Sequence, residues 1–324
     1  MNHEFHGSQC RLCGSTKQAF LYQKDNEIFA KCLICGLISL QRIPSVKDLT
    51  TYYSDLRPQL EKTGQMSLDG RTKISLELRA SRYLKAIEGV NGISANSRLL
   101  DFGCGRGFFL NLAKKDGYDV YGLDINPLHI EQARETGAKI FDVKLKDANF
   151  PDCYFDIITA IHVLEHLEDP FSEIEEMIRI LRKDGILVIG VPNANSLWHK
   201  LYGSDWIWNN PKEHIYHFSL ESSKFMMNKI GLNIIYTKTF PGHNASIFPN
   251  KSKKLSQDHC QFRGGGVIER GLYLLQQRQI SILIYKSLRL IARELCFATV
   301  SPFLNQIISL FGFGDDLMVI ARKL

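Results

Sequence analysis

The segment Asp101-Phe102-Gly103-Cys104-Gly105-Arg106-Gly107 constrains this chain more than any other, because three glycines at alternate positions separate two apolar runs. Upstream, Arg98-Leu99-Leu100-Asp101 reads as a strand; downstream, Phe108, Phe109, Leu112 and Ala113 recur at near-helical spacing. A strand that turns this tightly into a helix needs backbone with φ > 0 and a main chain free to approach a ligand, and glycine permits both. The fold class that follows is α/β, with a nucleotide-type cofactor at the turn. A dinucleotide loop requires Gly-x-Gly-x-x-Gly, so that pyrophosphate meets the helix N-terminus. Counted from Gly103, the third position of that pattern is Phe108, and the dinucleotide register fails.

Three later segments extend the pattern. Tyr118-Asp119-Val120-Tyr121-Gly122-Leu123-Asp124 is a second strand ending in a carboxylate. The run from Phe150 to His166 reads as a turn, a buried strand and the start of a helix, and Leu181 to Asn193 as a helix end, a glycine turn and another strand. With Asp-x-Gly-x-Gly-x-Gly at its head, this order resembles the class I S-adenosylmethionine-dependent methyltransferases, from about residue 96 to 240 and again at a final strand from Asp316 to Lys323. The resemblance implies a doubly wound, seven-stranded Rossmann-like sheet. It also implies that Asp101, Gly103, Cys104, Gly105 and Gly107 hold the methionine end of the cofactor, with no chemistry for the Cys104 thiol. Asp124 would accept hydrogen bonds from both ribose hydroxyls, and the adenine would rest near Ile125 and Leu145. Many relatives place an acid where this chain has Lys144; Asp147 is the nearest substitute.

The implied reaction is an in-line displacement on a sulfonium methyl by an acceptor oxygen, nitrogen or carbanion, so the protein must align two reactants and take up a proton. Histidine titrates near neutrality, and the candidate bases are His162, at the end of the fourth strand, and His214. His166 reads as structural, and His217 is a further candidate. All three tryptophans fall between Trp198 and Trp208, directly before Glu213-His214-Ile215-Tyr216-His217-Phe218. Ligands of open α/β sheets bind at the carboxyl ends of strands, so the acceptor pocket is expected between this loop, His162 and Tyr52-Tyr53, with Trp206 as a stacking surface.

Of eight cysteines, four form Cys10-x-x-Cys13-Gly14 and Cys32-x-x-Cys35-Gly36, with eighteen residues between the pairs. Four soft ligands on two glycine-ended turns suit a tetrahedral structural zinc, and the pattern is similar to a zinc ribbon. About forty residues lack the area to fold alone without such a staple. Cys104, Cys153, Cys260 and Cys296 are isolated and read as small hydrophobes. The first thirty residues mix charges and cysteines where a secretory signal needs an apolar stretch, so the expected setting is reducing and cytoplasmic.

With 44% hydrophobic residues, 324 residues can bury a full α/β core and more. The expected organisation is a zinc ribbon at 1–43, a connector and helix at 44–95, and a methyltransferase domain at 96–324 with a helical insertion at 241–314. Between 272 and 310, Lys286, Arg289, Arg293 and Glu294 interrupt every apolar run short of the ~18 residues a membrane span requires. There Ile280, Ile284, Leu288, Ile291 and Leu295 share one helical face opposite basic residues. Such a face packs on its own domain or a second subunit, or lies on an anionic membrane surface. The ribbon, connector and core together resemble enzymes that methylate sugars, nucleotide-sugars or other cell-envelope and secondary-metabolite intermediates. The alternatives are a ribosomal RNA base methyltransferase whose ribbon grips RNA, and a non-catalytic scaffold. Five basic against three acidic side chains in residues 1–43, and a net charge of +6 overall, are few for a phosphate binder.

Overall fold

The computed structural model describes residues 4–5, 8–45, 49, 51–63, 70–241 and 301–324. Its N-terminal part contains β1 (Glu4–Phe5), β2 (Gln18–Lys24), β3 (Glu27–Cys32) and β4 (Ile38–Leu40). A wide helical turn over Tyr52–Leu56 runs into α1 (Arg57–Lys62), and the Arg57 amide bonds back five residues to the Tyr52 carbonyl. Pro58, which lacks an N–H, falls where the helix changes pitch. The amphipathic segment expected near 71–90 is α2 (Gly70–Glu88).

From there strand and helix alternate: β5 (Arg98–Phe102), α3 (Phe108–Lys115), β6 (Asp119–Leu123), α4 (Pro127–Arg134), β7 (Lys139–Phe141), β8 (Phe155–Ile161), α5 (Pro170–Ile180) and β9 (Leu181–Pro192). Then come α6 (Leu197–Tyr202), β10 (Tyr216–His217), α7 (Leu220–Lys229), β11 (Leu232–Phe240), α8 (Ser301–Leu310) and β12 (Asp316–Lys323). Asn126 and Asp169 cap α4 and α5, each followed by proline at the first helical position, and Ser219 with Ser222 forms a capping box on α7. Seven strands make the larger sheet in the order β11-β12-β9-β8-β5-β6-β7, with β12 antiparallel to both neighbours and β5 to β9 parallel. The doubly wound Rossmann-like sheet is therefore present. Both of its faces are covered, which is why β8 and β9 read as unbroken apolar runs such as Ile157-Ile158 and Ile186-Leu187-Val188.

The smaller sheet, β1-β2-β3-β4-β10, takes its last strand from the aromatic loop. Tyr216 pairs with Ser39 and His217 with Ile38, and the Leu40 amide donates to the Ile215 carbonyl at 2.9 Å. The His217 ring lies 5.0 Å from Phe29, and Lys229 donates to the Leu12 carbonyl at 2.6 Å. Leu12, Phe29 and Leu37 belong to the same core as Leu100 and Leu187 of the large sheet.

This packing corrects two expectations. His217 is fully buried on the ribbon, and burial pushes its pKa down to about 3, so it is a neutral core residue and no base. Trp206 is 1% exposed, packed with Trp198 and Ile308, and its indole N–H donates to Asp315 at 3.1 Å; it offers no stacking surface. The basic amphipathic face over 278–295 lies outside the described residues, as does 64–69 of the connector. Among the described residues no helix is long and apolar enough to cross a membrane.

Candidate active site

The carboxyl ends of β5, β6 and β8 open into one cavity of about 1000 Å³. The Gly103 and Cys104 amides donate to the Leu123 carbonyl at 2.7 and 3.0 Å, which folds the loop over β6. Gly103 has φ +71°, and a Cβ there would stand 2.3 Å from Val163 Cγ2. Gly105, at φ +52°, has nothing within 4 Å of where a Cβ would be, so its bare backbone faces the cavity it helps line. The Asp124 carboxylate accepts from the Gly105 amide through Oδ2 and the Asn126 amide through Oδ1, both at 2.8 Å. Each oxygen keeps a further lone pair, enough for the two hydroxyls of a ribose. Asn126 also lines the cavity, and its buried Nδ2 has no partner among the described residues. An open backbone cradle, an ionic acceptor and an orphaned donor fit the cofactor the motif implies.

The remaining loop residues divide. Asp101 is buried and accepts from Thr159 Oγ1 at 2.6 Å; burial raises its pKa to about 7 against the opposing Thr159 bond, with the Asp124 charge adding to the rise. Cys104 lines the cavity beside Gly122, and burial pushes its thiol well above the usual range, so it stays neutral. Gly107 is absent from the lining. At φ +78° it starts α3, and a Cβ would strike Thr136 and Ala133, so its role is packing. Ile125 and Leu145 form wall, as expected for an apolar ring. Asp147 is exposed and off the lining, which removes it from the site, whereas Lys144 is part of the lining.

The other end of the cavity is polar and aromatic. His162, at φ +55°, sits with Nδ1 3.3 Å from Glu165 Oε1 and Nε2 3.3 Å from Asp316 Oδ1. Burial and the Arg79 charge pull its pKa down, but Asp316 and Glu165 prevail and raise it. With both nitrogens facing carboxylates, His162 is poorly placed to take a proton from an acceptor. His214 is the opposite case. It is 5% exposed and stacks on Trp208 at 5.9 Å. Burial, then the neighbouring His166, His217 and His162, hold its pKa well below the ordinary value, leaving a neutral imidazole.

His166 Nδ1 lies 2.7 Å from the Glu213 carbonyl and 2.8 Å from the Tyr53 hydroxyl, and its ring is 4.7 Å from His214. Tyr52 donates to Glu213, and Arg57 stands 3.7 Å from the same carboxylate. The first cysteine knuckle supplies Arg11 to the lining. Sequence reasoning names His214, the connector tyrosines and the loop that carries Trp208 and Glu213, but it singles out Trp206 in that loop, omits Arg79 and reads His166 as structural. The available signal was Val163-Leu164-Glu165-His166, which continues straight from β8 into the cavity.

Away from the cavity floor, the four N-terminal thiols converge. Sγ separations are 3.5 Å for Cys10–Cys35 and 3.4 Å for Cys13–Cys32, and all four sulfurs lie within 4.8 Å of one another. Zn–S lengths of about 2.3 Å set tetrahedral sulfurs roughly 3.8 Å apart, so the set fits zinc. The two knuckles repeat one hydrogen-bond scheme: Gly14 to the Cys10 carbonyl and Gly36 to that of Cys32, Cys10 to the Ser15 carbonyl and Cys32 to that of Leu37.

A family model described as a methyltransferase domain matches residues 73–237. The ubiquinone biosynthesis O-methyltransferase of Vibrio cholerae is 31% identical over 137 residues, 40% of this chain and 55% of that protein. The 27-O-demethylrifamycin SV methyltransferase of Amycolatopsis mediterranei is 29% identical over 125 residues, 36% of this chain and 46% of that protein. The chain thus spans about half the length of the curated relatives it matches. Magnesium protoporphyrin IX methyltransferase from Synechocystis PCC 6803, solved with SAH bound, superposes with a TM-score of 0.51 at 11% identity, covering 86% of this chain and 100% of that one. That likeness is one of fold.

Proposed function

Because the chain belongs to the methyltransferase domain family whose model matches residues 73–237, we propose that it moves the methyl group of S-adenosylmethionine onto an oxygen of a small polar acceptor. The carrying observation is a single cavity with two chemically different ends, Asp124 and Asn126 at one and Trp208, His166 and His214 at the other. A sugar, a nucleotide-sugar or a related cell-envelope or secondary-metabolite intermediate suits the second end. An indole wall takes the C–H face of such a ring, and imidazoles and Glu213 take its hydroxyls. Two of the similar proteins are named as O-methylating or demethyl-intermediate enzymes, which favours oxygen.

Bound S-adenosylmethionine supplies a methyl group activated by positive sulfur. Asp124 and Asn126 fix the nucleoside, and the open backbone at Gly105 lets the methionine end lie close. Buried Asp101 presents a carboxylate toward that cationic end. At the acceptor end the group formed by Glu165, His166 and His214 receives the acceptor's proton, with His214 already neutral. The four cysteines hold a structural zinc closed to chemistry, which keeps β4 in register under the aromatic loop.

Calorimetry with S-adenosylhomocysteine tests the cofactor end: Asp124→Ala is expected to lose about 1.5–3 kcal/mol of affinity, the scale of hydrogen bonds to a charged group. Unchanged affinity removes Asp124 from the site, and absent binding by the unsubstituted chain returns the scaffold reading. Transfer of labelled methyl to a panel of nucleotide-sugars and RNA fragments tests the acceptor; label appearing in RNA alone overturns the small-molecule assignment.

A further inference from the structure

Beside the cavity-lining His162 and His166, Glu165 presents an unusual electrostatic problem. It is fully buried, and neither carboxylate oxygen has a hydrogen-bond partner among the described residues. The His162 imidazole reaches it, but that one ring stands between two buried carboxylates, Glu165 and Asp316, at 3.3 Å from each. Tyr83 donates to Asp316, and the Arg79 charge acts on Asp316 as well. A buried carboxylate short of counter-charge is costly, and such groups are usually paired or bound to a metal.

Two lone pairs point to the second answer. His166 Nδ1 faces the Glu213 carbonyl at 2.7 Å; a carbonyl only accepts, so Nδ1 carries the proton and Nε2, 3.9 Å from Glu165 Oε1, keeps its lone pair. His214 bonds to the Trp208 backbone, and its buried Nδ1 has no partner among the described residues. Each histidine thus has one nitrogen oriented by main chain and the other available, the arrangement that fixes the tautomer of metal-ligating imidazoles. One ligand atom from each of Glu165, His166 and His214 lies within 4.8 Å of the other two.

We propose that Glu165, His166 and His214 bind a divalent transition-metal cation at the acceptor end of the cavity, a second metal site distinct from the four cysteines. Two imidazoles and one carboxylate suit zinc or iron(II), whereas magnesium and calcium take oxygen ligands throughout. With metal–ligand lengths of about 2.1 Å, tetrahedral ligands stand roughly 3.4 Å apart, so the widest pair closes by roughly 1.4 Å at most. Three protein ligands leave a coordination position open toward the cavity, where an acceptor oxygen fits. This deepens the methyl-transfer reading and rests on it for the acceptor, not for the ion. An acceptor hydroxyl held there is more acidic and, because both imidazole lone pairs are then on the ion, gives its proton to solvent in place of the histidines. Its oxygen electron pair then forms the bond to the methyl carbon, while the pair of the broken S–C bond stays on sulfur as the neutral thioether.

The test is cobalt(II) and zinc(II) uptake by the full chain, with cobalt read by absorbance. A four-thiolate cobalt site shows strong sulfur-to-metal charge transfer; a two-imidazole, one-carboxylate site adds only weak visible bands. The unsubstituted chain is expected to bind one equivalent beyond the thiolate site, and His214→Ala, His166→Ala and Glu165→Gln to lose that equivalent with the thiolate band intact. S-adenosylhomocysteine affinity, measured in parallel, reports that the variants fold. Equal uptake by all four chains overturns the site and returns the three residues to metal-free proton acceptance. Should the variants not fold, an unsubstituted chain that stops at the thiolate equivalent overturns it as well. A chain that takes the extra ion but binds no S-adenosylhomocysteine keeps the metal site and loses the methyl-transfer reading, so the two failures are distinguishable.

Discussion

At Asp101 a single buried carboxylate is expected to couple cofactor binding to pH. Burial sets its pKa at about 7 in the free chain, against Thr159, which bonds the charged form. A cationic ligand beside it favours the carboxylate and lowers that pKa, so binding releases a proton wherever the free chain still holds one. The sign follows: affinity for S-adenosylmethionine rises as pH climbs toward 7 and levels off above it. Calorimetry at pH near 6 in two buffers of different ionisation heat should give different apparent enthalpies, and Asp101→Asn should make them equal; equal heats for the unsubstituted chain would exclude the coupling. The two histidines first considered as bases separate by the same logic. His214→Ala is expected to lower turnover by roughly 10²–10⁴-fold with cofactor affinity nearly unchanged. His162→Ala instead removes the imidazole that stands between Glu165 and Asp316, so its principal expected effect is a lower unfolding midpoint. A midpoint that does not move would show that those carboxylates find other partners.

The strand, loop and helix built from β5 and α3 use their glycines for different purposes. Gly103 needs its left-handed backbone and also the space that Val163 occupies, whereas Gly105 needs only the backbone. Gly103→Ala should cost more than the about 1–2 kcal/mol of left-handed strain, because Val163 and the β8 end must shift. Gly105→Ala should cost about that strain alone, yet it places a methyl on the cavity side and weakens S-adenosylhomocysteine binding. Thermal unfolding and calorimetry on both variants separate the effects, and identical profiles would mean the loop responds as one unit. The pattern Asp-x-Gly-x-Gly-x-Gly made this element legible in advance because strand, turn and helix are local. It did not reveal that Gly107 serves the packing of α3 against Ala133 and Thr136, since that contact depends on where α4 lies.

Across the whole molecule, the ribbon and the large sheet share one core through β10, Phe29, Leu12 and Leu37. Treatment with a chelator, or replacing Cys32 by serine, is therefore expected to lower the unfolding temperature of the full chain, not to release a separate N-terminal transition. Two resolved transitions by calorimetry would show that the ribbon unfolds independently. The amino-acid order alone determined the alternation of strands and helices, the cofactor loop with Asp124, and the pairing of cysteines into knuckles. Each of these is written in residues near one another along the chain, where apolar periodicity, glycine and short spacing act directly. Only the tertiary structure decided that Trp206 and His217 are core while Trp208 and His166 face the cavity. All four are aromatic rings in polar surroundings, and burial depends on which distant element covers them: Asp315 and Ile308 for Trp206, Phe29 of the ribbon for His217. The same holds for Glu165, which meets His214 because the Ile215 amide before β10 bonds to the Glu165 carbonyl beyond the end of β8.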